Sequence, residues 1–240
     1  MMFFFFSWTL AVLGLPLLGV AVICHILGLK GLRSAIADGY LAYLARCLIR
    51  LTGSKVTVEG LEAIPPEGPV LFVSNHQGHF DSAVFLGYIR KPKSFVASSA
   101  ASKFPIFSTW FRYAQTVFLE IGNVRQNYTA LKGAKEILNE GRSIVIYPEG
   151  VISAGSVMGE LKRGALKIAF ATGVPIVPVV IDGTWKVMGE NNDKIEPAII
   201  TAKILPPIPT KGLSRPEQQE LPGEINAAIQ KELDYLKGKK

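Results

Sequence analysis

The 240-residue sequence predicts an α/β fold, a central mostly β sheet covered by helices, with an N-terminal membrane-anchoring helical segment. Three observations carry the prediction. Short apolar runs recur along the chain, separated by stretches with helical periodicity. The first run, Phe3 to Leu29, contains no Asp, Glu, Lys or Arg. Internal repeats and low-complexity linkers are absent, so the chain beyond that run is expected to form one domain of ordinary size.

At about 1.5 Å per residue, a helix over the N-terminal run would exceed the roughly 30 Å hydrocarbon core of a bilayer. The run is too long for the apolar region of a cleaved signal, and no basic residue precedes it. Residues 1–29 are therefore expected to be an uncleaved membrane anchor. Pro16, two residues after Gly14, breaks or kinks a helix there. Two short helices dipping into one leaflet are the alternative to a crossing. Lys30, Arg33, Arg46 and Arg50 all follow the run, which by the positive-inside tendency places the remainder on the cytoplasmic side of an inner, cytoplasmic-type membrane. Residues 30–54 carry Ile36, Tyr40, Leu41, Leu44, Leu48 and Leu51 at helical spacing, with Arg46 and Arg50 off that stripe. This is an amphipathic helix, lying either in the membrane interface or on its own domain.

Beyond it, strand-like runs fall at 56–59, 70–73, 94–97, 116–119, 143–147, 176–181 and 198–205. Helical patterns fall at 82–89, at 128–139 before the Glu140-Gly141 stop, at 164–172 and at 224–236, where Ile225, Ile229, Leu233 and Leu236 share a stripe. The two cysteines, Cys24 and Cys47, are isolated, which excludes a disulfide framework or thiolate cage and favours a reducing compartment for the soluble part. Net charge is +7 with pI ≈ 9.4, a balance suited to an anionic membrane surface. Nucleic acid is not expected as a partner, because no basic stretch interleaved with aromatics and no reading-head motif is present.

The most informative stretch is Asn75-His76-Gln77-Gly78-His79-Phe80-Asp81, directly after the 70–73 run. A turn around the Gly would let the Asp81 carboxylate hold one nitrogen of His76 while the other faces outward, the arrangement of a general base with its orienting acid. No nucleophile motif or phosphate-cradling glycine loop competes with it. His76-x-x-His79 with Asp81 also has the spacing of a metal half-site, but the third histidine, His25, lies in the anchor. No metal is expected.

Asn75-His76 followed by Asp81 resembles the His-x4-Asp motif of the glycerolipid acyltransferases, the family of 1-acylglycerol-3-phosphate acyltransferase. Tyr147-Pro148-Glu149-Gly150 resembles that family's Pro-Glu-Gly block, with Ser153 where the block carries a Ser. Lys162-Arg163-Gly164-Ala165 resembles the basic-Gly step, and Val174-Pro175-Ile176-Val177-Pro178-Val179 the last block. The four occur in order. The resemblance implies that residues 55–240 form an acyltransferase catalytic domain. It would move an acyl chain from acyl-CoA or acyl-carrier protein to the hydroxyl of a membrane lysophospholipid, by default 1-acylglycerol-3-phosphate giving phosphatidate, with no cofactor. His76 would be the base and Asp81 its orienter. Asn75, Glu149, Gly150, Lys162 and Arg163 would serve substrate binding, and backbone N–H groups the oxyanion. The chain also departs from the pattern. Val151-Ile152 stand in place of Thr-Arg, Ile121 in place of an Arg, and Ser98 and Ser99 where a Lys often begins the second block. Lys103, Arg125, Lys162 and Arg163 remain as candidates for an acceptor phosphate. Two alternatives arise from these departures: the same chemistry on a phosphate-free lyso-lipid (a lyso-aminolipid or lyso-glycolipid), or a non-catalytic membrane lipid-binding protein.

Overall fold

A computed structural model describes residues 14–99, 105–119, 124–153, 155, 157–188 and 194–239. Its sheet has the strands β1 (Lys55–Glu59), β2 (Leu71–Ser74), β3 (Lys93–Ser98), β4 (Val117–Leu119), β5 (Ser143–Ile146), β6 (Ile176–Asp182) and β7 (Ile199–Ile204). They lie in the order β1-β7-β6-β2-β5-β3-β4. The five strands from β6 to β4 are mutually parallel. β7 is antiparallel to β6 and β1 is parallel to β7, so this pair runs the other way. β2, β5 and β6 are buried at every position. Parallel strands covered on both faces bury both sets of side chains, which is why these segments read as unbroken apolar runs.

Helices are α1 (Leu15–Ile26), α2 (Lys30–Leu51), α3 (Asp81–Tyr88), α4 (Pro105–Tyr113), α5 (Val124–Asn139), α6 (Lys167–Thr172) and α7 (Arg215–Gly238). Leu138 of α5, Ile168 of α6 and Ile225 and Ile229 of α7 cover one sheet face, against Leu71, Ile144 and Ile176. Phe85 of α3 and Ile49 of α2 cover the other, against Phe72, Val145 and Val177.

The break expected at Pro16 is the start of α1, with the proline in its first turn, where a missing N–H costs nothing. Gly14 precedes it against α2: a Cβ there would lie 2.3 Å from the Tyr40 ring. Residues 1–13 of the expected anchor lie outside the described residues. At 12 residues α1 is about 18 Å long, and no helix among the described residues is long and apolar enough to cross a membrane. Leu17, Val20, Ile23 and Ile26 of α1 are exposed.

Tyr40, Leu41 and Leu44 of the α2 stripe are turned toward protein, while Leu51 at its end is exposed. The Tyr40 ring lies tilted on Trp110 of α4, with centroids 4.4 Å apart, and Arg46 Nη1 donates to the Gly87 carbonyl of α3 at 3.0 Å. Midway along α2, Asp38 takes a bidentate pair from Arg142 at 2.7 and 2.5 Å. The same guanidinium donates to Ser94 Oγ and to the carbonyl of Lys93. One buried arginine thus ties α2 to the starts of β3 and β5.

Two helices differ from the sequence reading. The sequence pattern does not predict α4. Its segment is rich in aromatic and β-branched residues, and burial of Trp110 against α2 overrides that preference. α7 begins at Arg215, well before 224, and continues through Pro222. A capping box of Ser214 and Glu217 starts it.

Candidate active site

The site is assembled at the carboxyl ends of β2, β5 and β6, the edge at which open α/β sheets place their sites. β2 leads into Asn75, whose amide behaves as one more rung of the ladder. Its Nδ2 donates to the Ile181 carbonyl at 2.8 Å, and its Oδ1 accepts the Ile181 N–H at 2.9 Å. Both ends of the Asn75 amide are thereby engaged, and the residue is buried. Gln77 Oε1 accepts the Gly183 N–H at 3.1 Å. These contacts bind the His76 turn to the end of β6.

His76 Nδ1 lies 2.7 Å from Asp81 Oδ2. A carboxylate only accepts, so the proton sits on Nδ1 and Nε2 is left as the basic nitrogen. Asp81 is fully buried, while a fifth of the His76 side chain is exposed. The Gly78 N–H donates to Asp81 Oδ2 at 2.9 Å, and the Thr184 hydroxyl donates to Oδ1. Three donors on two oxygens offset the desolvation of this buried carboxylate. Asp81 is also the first residue of α3, where the helix dipole favours an anion.

The segment after β5 holds the other side of His76. Glu149 is buried, and its two oxygens accept the His76 N–H at 2.8 Å and the Gly159 N–H at 2.7 Å. The Ser153 N–H and hydroxyl both donate to the His76 carbonyl, at 2.9 and 3.2 Å. The Tyr147 ring lies on the imidazole with centroids 4.1 Å apart and planes 15° apart. Burial first, and then the Asp81 charge, push the Tyr147 phenol well above its ordinary value, while the Ser82 hydroxyl, 3.3 Å away, pulls the other way. The phenol therefore stays neutral beside the imidazole.

Gly150 has φ +70°, and a Cβ on it would lie 2.5 Å from Lys162 Nζ. The Lys162 ammonium thus lies across the turn that holds His76, and the Lys162 backbone N–H donates to the Pro148 carbonyl at 3.0 Å. Arg163 opens a short 3-10 turn before α6, but its side chain lies outside the described residues, as do Lys103, Ile121 and the side chain of Arg125. Ile152 is exposed beside the site, as are Val151 and Val157. His79 points to solvent. Among the described residues no three His, Cys, Asp or Glu side chains gather to hold a metal. An open cavity of about 560 Å³ lies elsewhere, lined by Lys30, Arg33, Thr116 and Phe118.

The structure therefore brings His76, Asp81, Asn75, Glu149, Gly150 and Lys162 to one edge. It adds Thr184, Tyr147 and Ser82, which spacing alone does not single out. Thr184 lies 103 positions from Asp81 in sequence, and nothing local marks it.

Fold and site together define an α/β domain with a His–Asp pair presented at the carboxyl edge of a mainly parallel sheet. Residues 55–182 match the Acyltransferase family, and the chain belongs to it. Among proteins it resembles is the chloroplastic 1-acyl-sn-glycerol-3-phosphate acyltransferase LPAT1 of Arabidopsis thaliana, 32% identical over 59% of this chain and 40% of that one. Another is a 1-acyl-sn-glycerol-3-phosphate acyltransferase of Chlamydomonas reinhardtii, 28% identical over 85% of this chain and 62% of that one. The chain thus spans less than two thirds of these relatives. The crystal structure of the 1-acyl-sn-glycerophosphate acyltransferase PlsC from Thermotoga maritima superposes with a TM-score of 0.83 at 27% identity, covering 98% of this chain and 94% of that one.

Proposed function

We propose that this protein is a membrane-bound O-acyltransferase that moves an acyl chain from acyl-CoA or acyl-carrier protein to the free hydroxyl of 1-acylglycerol-3-phosphate, giving phosphatidate. The observation that carries the reading is the His76–Asp81 pair, with Nδ1 committed to a buried carboxylate and Nε2 left basic. The names of the relatives support the choice of acceptor. In the reaction His76 Nε2 takes the acceptor hydroxyl proton as that oxygen bonds to the thioester carbonyl carbon. The carbonyl oxygen becomes an oxyanion, and the C–S bond then breaks as the thiolate leaves. The proton on Nε2 passes to that sulfur, which restores the base. Asp81 holds the tautomer and faces the imidazolium as it forms. The exposed apolar residues of α1 suit attachment to one leaflet, where acceptor and product both reside.

A second reading keeps the chemistry and changes the acceptor. It is favoured by exposed Ile152 and Val151 at the site mouth, which offer a phosphate no ionic partner. A panel of lyso-lipids with and without phosphate, assayed for thioester consumption in membranes carrying the chain, decides between them. His76→Ala is the control and is expected to lose roughly 10²–10⁴ in rate while the protein stays folded. Undiminished turnover in that variant would remove His76 from the mechanism.

A further inference from the structure

We propose that Thr184 is a positioning residue for the His76–Asp81 pair: through its hydroxyl on Asp81 Oδ1 it sets how much carboxylate charge faces the imidazole, and so the pH range over which His76 is a free base. The proposal rests on the reading that His76 is the base.

The geometry that places Thr184 is built. β6 ends at Asp182, and Gly183 comes next at φ +98° with its bare side turned to a backbone: a Cβ there would lie 2.3 Å from the Ile199 carbonyl oxygen. Only glycine turns this corner. The corner is tied back by the Gly183 N–H on Gln77 Oε1. The Thr184 carbonyl then packs on Gly78, whose Cβ, if present, would lie 3.2 Å from it. Asn75, Gln77 and Gly78 thus each touch the end of β6, and the result is a fully buried Thr184 whose hydroxyl reaches Asp81.

The two oxygens of Asp81 have different duties. Oδ2 accepts from His76 Nδ1 and from the Gly78 N–H. Oδ1 accepts from Thr184. A donor on Oδ1 draws negative charge to that oxygen and away from the one facing the imidazole. Without it, the charge facing His76 grows and the imidazolium is favoured. Among the described residues, the other ionisable groups near the pair are Tyr147 and Glu149 just after β5, Lys162 beside Gly150, His79 on the turn, Asp182 before Gly183 and Lys186 shortly after Thr184. Both Glu149 oxygens are taken by backbone N–H groups, and Lys186 and His79 face solvent.

The test is the series Thr184→Ser, Thr184→Cys and Thr184→Val in the full chain in detergent. One readout is the pH dependence of thioester consumption with lysophosphatidate. The other is a carbon-13 NMR titration of the histidine rings, of which the chain has three. His76→Gln assigns the signal. Serine keeps the donor and should stay within about twofold of wild type; valine removes it and cysteine weakens it. With valine, the rate should fall by up to about tenfold on the acid side, the ceiling a one-unit shift sets, and by less at pH 7, with little change in the Michaelis constants, and the loss should shrink as pH rises. Its acid limb and the His76 titration midpoint should both move up by about one pH unit, a part of the worth of one charge-assisted hydrogen bond. Loss by the same factor at every pH, with an unmoved midpoint, would overturn the proposal, because a purely structural threonine behaves that way. If valine does not fold, serine and cysteine decide: cysteine indistinguishable from serine in both readouts overturns it. If wild type consumes no thioester yet the midpoint moves through the series, the acyltransferase reading fails and the coupling stands.

Discussion

Replacing Glu149 by glutamine tests whether the Pro-Glu-Gly segment acts on substrate or on His76. The sequence suggests a substrate contact, but the structure gives both carboxylate oxygens to backbone donors, His76 N–H at 2.8 Å and Gly159 N–H at 2.7 Å. Glutamine retains one acceptor oxygen and turns an NH2 group toward the second donor. One charge-assisted bond, worth roughly 1.5–3 kcal/mol, is lost, and a buried N–H is left facing another donor. A total near 3 kcal/mol corresponds to about 6–12 °C in melting temperature for a chain of this size. If about half of that falls on the placement of His76, kcat drops by roughly tenfold. The assay is a melting curve together with full kinetics on both substrates. A positioning role gives lower melting temperature and lower kcat with Michaelis constants near wild type. A raised Michaelis constant for the acceptor, with kcat and melting temperature unchanged, would refute the reasoning and return Glu149 to the substrate.

Two other parts of the molecule give measurable outcomes. Burial lowers the Lys93 ammonium to about 8, with nearby Arg142 pushing the same way and Asp38 opposing. The unfolded chain, near 10.4, then holds more protons than the folded one above pH 8, so stability should rise by about 2 kcal/mol between about pH 8 and 9.5; calorimetry showing a flat or falling trend that Lys93→Met does not alter would contradict this. Lys162→Ala should raise the Michaelis constant for lysophosphatidate about tenfold while leaving an uncharged lyso-lipid unaffected, and equal change on both acceptors would show that the Lys162 ammonium does not meet a phosphate.

All seven strands are legible in the sequence because the buried parallel strands leave continuous apolar runs that neighbouring polar turns delimit. Their order is not legible. β6 lies beside β2 only because the chain from β5 crosses over β2, a decision made by helix packing on the two faces. The His76–Asp81 pair is legible because a five-residue step around a Gly closes on itself locally. Its support is not, since Thr184 and Glu149 reach it from the turns after β6 and β5, strands that are remote in sequence and adjacent to β2 only in the sheet. α4 is hidden for a similar reason: Trp110 is helical where it meets Tyr40, and that meeting cannot be read from residues 105–113. A signal for the start of α7 is present in Ser214-x-x-Glu217 with Pro216 between, but the Pro222-Gly223 pair downstream reads more strongly as a stop.

His76 is constrained at nearly every atom that can be constrained without touching Nε2. Its N–H is held by Glu149, its carbonyl by Ser153, its Nδ1 by Asp81 and its ring face by Tyr147. These partners come from the segment after β5 and from the start of α3, both joined directly to the central sheet. Preorganisation of this kind places a base without reorganisation during the reaction. The residues beside this frame are held differently: Val151, Ile152 and Val157 are exposed, and Lys162 reaches the site along the surface. None of these side chains is among the hydrogen-bond partners of His76 and Asp81 described above. On the proposed reading, the frame that holds the base and the surface that would meet an acceptor headgroup are therefore separate parts of this fold, and a departure such as Ile152 would bear on which hydroxyl is brought to Nε2 rather than on how its proton is taken.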